Sequence, residues 1–219
     1  MQFWSNTWWL VKKDLVLEWR NKYTFSAILL YLLSIILIIF FTFEEVKGPV
    51  WIVLFWIVIL FTAVNAIAKS FLQESSGRQL YMYTLVSAQS IILSKIIYNI
   101  LVMLILTAIA LLFYSMSAGY PVVDNTSFYL ALLTGSIAFA SVFSMISAIA
   151  TKANNSGTLM AVLAFPILIP VIKILIRISL ESLSASSLQT NAQDLLYLFA
   201  LNILIITLAM ILFPYLWRD

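Results

Sequence analysis

Few ionisable side chains in this sequence could do chemistry, and most lie at the ends of long apolar runs. The clearest pattern is Lys173, Arg177 and Glu181, which recur every fourth residue and therefore share one face of a helix. Two cations on one face could hold an anionic group such as a carboxylate. The pattern also fits a salt-bridged ladder whose long side chains reach the membrane surface, which needs no ligand. The sequence favours the ladder and keeps the anion site as the alternative.

Missing residue types exclude several kinds of site. The chain has no Cys and no His, which removes thiolate metal sites, Cys nucleophiles and the commonest general base and haem ligand. No carboxylate lies in the middle of an apolar run, which argues against a proton relay or an intramembrane protease. The phosphate-binding pattern G-x-x-x-x-G-K-[ST] does not occur. The chain is therefore predicted not to be an enzyme and to bind no metal, with its energy supplied by a partner or a gradient.

The composition places these residues in a membrane. The 219 residues are 63% hydrophobic and 10% charged, whereas a soluble domain is about a quarter charged. A helix needs about 20 apolar residues to cross the hydrocarbon core. Six runs meet that requirement, at about 24–43, 49–68, 96–118, 128–150, 157–176 and 195–217. The predicted fold class is an all-α integral membrane protein, with residues 1–219 forming a single transmembrane domain.

An amphipathic segment precedes the first span. In residues 1–23, aromatic and apolar residues recur three or four positions apart, at Trp4, Trp8, Val11, Leu15 and Trp19. Trp at headgroup level is typical of a helix that lies along a membrane surface. We therefore predict an interfacial helix; the simpler alternative is a capped start to the first span.

A second amphipathic segment, residues 69–95, joins spans two and three. It is predicted to contain a short coupling helix, which follows a helix end at Gly77. With six spans, nine Lys and Arg residues fall on the side of the N-terminus and three on the other side. Because basic residues concentrate in cytoplasmic segments, both termini and residues 69–95 are predicted to be cytoplasmic.

Two of the later spans have unusual composition. Span five contains Pro166 and Pro170, which remove backbone hydrogen bonds and predict a kinked helix. Span four carries a stripe of small residues: Ala140, Ser141, Ser144, Ala148 and Thr151. Such a stripe could face a substrate, but close packing between helices is the favoured interpretation.

Three segments, in this order, carry a family resemblance: KKDLVLEWRNKYTFSAILLY (12–31), NAIAKSFLQESSGRQLYMYTLVSAQSIILSKIIYN (65–99) and NNSGTLMAVLAFPILIPVI (154–172). Together with six spans and an F-x-x-E-x-x-G pattern after span two, they resemble the ABC-2 class of ABC-transporter permeases. Within that class the chain resembles CcmB, the haem exporter protein B family of cytochrome c maturation. It departs from the family at Ser87 and Ala88, where many relatives carry proline.

The resemblance implies that residues 69–95 dock on a separate CcmA-like ATPase. The implied contacts are Phe71, Glu74, Gly77, Arg78 and Leu80. It also implies a bacterial inner-membrane location, a second copy of the chain, CcmC- and CcmD-like membrane subunits, and a CcmE-like haem chaperone outside. ATP would bind the partner subunit, and haem would be at most a transient cargo, whose propionates could meet Lys173 and Arg177. No nucleic acid is expected.

The implied function has two forms, haem export and ATP-driven release of the haem-loaded chaperone. The absence of His favours release or transient haem contact, because the usual axial ligand is missing. Two other functions remain open: an ABC-2 exporter of a lipid, glycan or drug, and an assembly scaffold that transports nothing.

Overall fold

The computed structural model describes residues 2–20, 22–43, 46–67, 86–150, 156–184 and 188–218. Within these ranges the chain forms seven α-helices and no strand, and six of the helices are long and apolar enough to cross a membrane. The helices are α1 Gln2–Arg20, α2 Lys22–Thr42, α3 Gly48–Ile67, α4 Ala88–Ala118, α5 Asn125–Ala150, α6 Ser156–Glu181 and α7 Leu188–Arg218. The predicted all-α membrane fold class is confirmed. The predicted coupling helix lies outside the described residues.

Two helices begin earlier than the apolar runs that predicted them. Helix α4 begins at Ala88, about two turns before residue 96, and α7 begins at Leu188, about two turns before residue 195. Ser87 caps α4, because its backbone is extended and its side chain accepts a hydrogen bond from the Ser90 N–H at 3.3 Å. The first turns of both helices are polar, so hydropathy alone does not detect them.

The six long helices run alternately between two ends of the bundle. At one end, which we call the α1 end, α1 packs against the start of α4. At the opposite end, which we call the distal end, the Val123 and Asp124 N–H groups donate to the Ser182 carbonyl at 3.0 and 2.9 Å. These two bonds bring the start of α5 against the turn that follows α6.

Helix α5 is the centre of the bundle, with α3, α4, α6 and α7 packed around it. Its small residues allow close approach; a Cβ atom on Gly135 would lie 2.8 Å from the Trp56 ring. Four residues of the predicted small-residue stripe are buried here: Ala140, Ser141, Ser144 and Ala148. Their burial supports the helix-packing interpretation. Thr151 lies outside the described residues.

Side-chain hydrogen bonds join the central helix to its neighbours. The Asn99 amide of α4 donates to Ser144 Oγ at 2.7 Å, and the Thr107 and Ser136 hydroxyls lie 3.0 Å apart. From α7, the Asn202 amide donates to the Thr134 carbonyl at 3.1 Å. In a membrane each such bond contributes about 0.6 kcal/mol on average. These bonds fix how α4 and α7 sit against α5.

An aromatic cluster fills the distal end. It consists of Trp51, Phe55, Tyr114, Tyr120 and Phe128, and its first two rings stack with their centroids 5.4 Å apart. The Trp51 indole N–H donates to the Gly119 carbonyl at 2.9 Å. Burial, with a smaller contribution from Tyr129, raises the pKa of Tyr120, so its hydroxyl remains a donor to Asn125 Oδ1 at 2.6 Å. The distal end of α3, α4 and α5 is thus held by many neutral contacts.

Candidate functional site

Helix α1 contacts the bundle through one narrow face. Thr7, Val11 and Asp14 are buried and follow the three- and four-residue spacing of a helical stripe. Trp4 and Trp8 lie on the adjacent side and are 68% and 66% exposed, so a membrane surface could reach them. Val11 therefore packs on the protein, whereas Trp4 and Trp8, which the spacing had placed on the same helical face as Val11, are exposed.

A buried ion pair joins this face to α4. The Lys95 ammonium lies 3.1 Å from Asp14 Oδ2, and the two side chains are only 8% and 7% exposed. Lys13 contacts the other oxygen of Asp14 at 3.2 Å from a more exposed position. Further along both helices, Tyr98 of α4 faces Glu18 of α1. Because a charge removed from water is costly unless it is paired, Asp14 and Lys95 hold each other in place.

The Asp14–Lys95 ion pair is one of the contacts that sequence reasoning missed. In the sequence, Asp14 lies within the predicted interfacial helix 1–23 and Lys95 ends the predicted segment 69–95, and nothing in their spacing pairs them. The sequence contains one indication that Asp14 is paired. Asp14 shares a helical face with Thr7 and Val11, and a carboxylate buried on that face needs a cation as its partner. The choice of Lys95 as its partner depends on tertiary packing, which spacing along the chain does not give.

The predicted ATPase contacts precede this ion pair along the chain. Phe71, Glu74, Gly77, Arg78 and Leu80 lie outside the described residues, so their role stays a prediction. The described chain resumes at Val86 and enters α4 at Ala88, with Lys95 about two turns inside that helix. The last eight residues of the predicted docking segment 69–95, with Lys95 among them, therefore form the start of α4.

The second charged contact lies towards the distal end. Arg177 Nε lies 3.5 Å from Glu181 Oε1, as the predicted ladder requires, and 3.1 Å from Asp194 Oδ2 of α7. Sequence reasoning missed Asp194 because it started span six at residue 195. Lys173 is exposed on the same helix. The pairing of Arg177 agrees with the ladder, and the role of Lys173 and Arg177 as an anion or haem-propionate contact stays a prediction.

The two prolines of span five, Pro166 and Pro170, both lie inside α6 and are exposed. The helix continues through both of them from Ser156 to Glu181. The kink predicted at Pro166 and Pro170 stays a prediction. Within the described ranges, no group of three or more acidic side chains is arranged to hold a metal ion.

Comparison with known proteins gives one match. A family model described as "CcmB protein" matches residues 5–215, which is nearly the whole chain. No curated protein and no solved structure matches. The matched region includes both charged contacts, the Asp14–Lys95 pair and the Arg177–Asp194 pair.

Proposed function

The chain belongs to the CcmB family, the membrane subunits of the cytochrome c maturation ABC transporter, and we propose that it converts ATP hydrolysis by a separate subunit into helix movement. The family is one of permease subunits in bacterial membranes, not of enzymes. The observation that carries the proposal is the buried Asp14–Lys95 pair on the helix that follows residues 69–85. We take the α1 end as cytoplasmic, in line with the distribution of basic residues.

The route of the movement follows from the contacts of α4. A displacement of the docking segment would act directly on the start of α4, to which α1 is tied through Asp14. Further along α4, Asn99 and Thr107 bond to Ser144 and Ser136 of the central helix α5. Movement of α4 would therefore reach α1 at the cytoplasmic side and α5 in the middle of the bundle.

The partners of this movement are also proposed. A CcmA-like ATPase would dock on Phe71, Glu74, Gly77, Arg78 and Leu80, with a second copy of the chain or CcmC- and CcmD-like subunits beside it. Between haem export and release of a haem-loaded CcmE-like chaperone, we favour release. Two observations argue against tight haem binding. The chain has no His, and Arg177 is already paired with two carboxylates.

Charge reversal in the docking segment tests the proposal. Glu74→Lys is expected to leave membrane insertion intact while ATP hydrolysis no longer supports cytochrome c maturation. The matched control is Gln73→Lys, which adds a positive charge at the neighbouring position without removing an implied contact. Normal maturation of c-type cytochromes in the Glu74→Lys strain would show that the docking assignment is wrong.

Either of two further results would favour a different function over the proposed one. If an ATPase-inactive partner left maturation unchanged, the chain would be a scaffold that transports nothing. If the chain purified with an ATPase but never with a CcmC-like subunit, an exporter of another lipid, glycan or drug cargo would be the better assignment.

A further inference from the structure

Helix α1 separates its charged residues by sign. It contains three basic and two acidic residues, an excess of only one positive charge. Both acids face the protein, since Asp14 is buried against Lys95 of α4 and Glu18 lies opposite the same helix. Two of the three basic residues, Lys12 and Arg20, are exposed. The surface that α1 turns away from the protein is therefore more basic than the helix sequence as a whole.

One side of α1, next to the face that packs on the protein, is apolar and exposed. Trp4, Trp8 and Leu15 recur four and seven positions apart, a spacing that aligns them along the helix, and we call these three residues the lipid flank. Tryptophan side chains are enriched at the level of the lipid headgroups, where their rings contact both acyl chains and water. The lipid flank therefore sets the depth of α1 at the boundary between headgroups and acyl chains.

The exposed cations lie beside the lipid flank. Lys12 follows Trp8 by about one helical turn, and Arg20 follows Lys12 by about two turns. The Lys12 ammonium lies 5.7 Å from the centre of the Trp9 ring, a cation–π contact that orients it at the surface of the helix. Among the described residues, no carboxylate lies within ion-pair distance of Lys12 or Arg20. Both cations are therefore positioned to meet an anion at headgroup level.

We propose that α1 binds anionic phospholipids, whose headgroup phosphates contact Lys12 and Arg20 and whose acyl chains pack against the lipid flank. Each basic residue at a membrane surface raises the affinity for anionic lipid about fivefold. A zwitterionic headgroup also carries a phosphate, but its own ammonium group cancels the charge, so the preference is for a headgroup with net negative charge. The inference concerns the lipid and goes beyond the proposed coupling to ATP hydrolysis.

Photo-crosslinking to lipid tests the inference on the purified full chain. The bilayer contains equal amounts of phosphatidylglycerol, which is anionic, and phosphatidylcholine, which is zwitterionic, with identical acyl chains. A photoreactive amino acid at Leu15 is expected to crosslink to phosphatidylglycerol at least about three times as often as to phosphatidylcholine. The matched control is Leu196 on α7, which is 65% exposed and is expected to crosslink to both lipids equally.

Removal of the two cations provides the second test. Lys12→Gln combined with Arg20→Gln is expected to make the crosslinks from Leu15 equal for the two lipids, whereas Lys12→Arg combined with Arg20→Lys keeps the preference. Lys47→Gln, which removes an exposed cation at the distal end, should change nothing. The inference is overturned by equal crosslinking in the unaltered chain, by the same preference at Leu196, by a preference that survives removal of both cations, or by crosslinks from Leu15 to a second copy of the chain in place of lipid.

Inorganic phosphate distinguishes a lipid headgroup from a free anion. Replacing potassium chloride with potassium phosphate at constant ionic strength should leave the preference for phosphatidylglycerol unchanged, because a free anion gains nothing from the lipid flank. Raising the ionic strength with potassium chloride should lower the preference, because salt screens charges at a membrane surface. Loss of the preference in phosphate alone would show that the cations bind free phosphate, and would overturn the inference. None of these measurements involves ATP, so lipid binding and the proposed coupling can fail independently.

Discussion

The two ends of the bundle are held together by different kinds of contact. At the distal end, five aromatic rings from α3, α4, α5 and the α4–α5 connection pack against one another, and none of them is charged. At the α1 end, the attachment of α1 to α4 includes a buried ion pair between Asp14 and Lys95, together with the approach of Glu18 to Tyr98. Aromatic packing has many partners and tolerates the loss of one; a buried ion pair does not.

This difference indicates which end can respond to ATP. Dense packing resists gradual deformation, so the aromatic cluster is expected to keep α3, α4 and α5 fixed relative to one another at the distal end. The Asp14–Lys95 pair gives α1 one defined position on α4, so the two helices should move together when the docking segment moves.

The largest expected effect comes from removing one partner of the buried pair. Asp14→Ala removes the carboxylate that pairs with the buried Lys95 ammonium, and because breaking a buried ion pair is strongly destabilising, we expect a loss of about 3–5 kcal/mol in the packing of α1. Protease cleavage within α1 and the thermal unfolding midpoint of the detergent-solubilised chain measure this loss.

Two variants serve as controls for that prediction. The double replacement Asp14→Leu with Lys95→Met removes both charges and should recover most of the stability, because an apolar pair of similar size needs no compensation. Lys13→Ala removes a partner that is 31% exposed and should cost less than about 1 kcal/mol. If Asp14→Ala and Lys13→Ala had equal effects, the buried pair would not be what holds α1.

An intermediate effect is expected at the close contact between α3 and α5. Gly135→Ala places a Cβ atom 2.8 Å from the Trp56 ring and 3.0 Å from Leu175, and overpacking of this kind costs about 1–3 kcal/mol. The smaller ring in Trp56→Phe should relieve the clash, so the double variant should be more stable than the sum of the single effects predicts. Additive unfolding midpoints would contradict the packing account.

The smallest effect is expected inside the aromatic cluster. Tyr114→Phe keeps the ring contacts and removes one hydrogen bond, from the Tyr114 hydroxyl to the Trp51 carbonyl at 3.3 Å. We expect a loss of about 0.5 kcal/mol in unfolding free energy and normal cytochrome c maturation. A loss comparable to that of Asp14→Ala would show that the cluster, too, depends on a single contact.

The sequence predicted best what depends on local composition. Six apolar runs located the spans, because crossing the hydrocarbon core requires an uninterrupted apolar segment. It placed the starts of α4 and α7 too late, since the first turns after Ser87 and Leu188 are polar and extend the helices beyond the runs.

Contacts between distant residues were beyond sequence reasoning. The ladder of Arg177 and Glu181 was predicted because the two residues are one helical turn apart, whereas Asp194 reaches Arg177 only through the packing of α7 on α6. Asp14 and Lys95 likewise meet only when α1 folds against α4. A single sequence reports such pairs only as isolated charges near apolar surfaces.

Joint movement of α1 and α4 is the central claim, and distances between spin labels test it most directly. The chain has no cysteine, so cysteines introduced at the exposed positions Trp9, Gln89 and Val50 take labels at those positions alone. In the assembled transporter, ATP is expected to change the distance from α1 at Trp9 to α3 at Val50, while the distance from Trp9 to α4 at Gln89 stays constant. A change in the Trp9–Gln89 distance on ATP binding, with Asp14 and Lys95 both intact, would contradict the account.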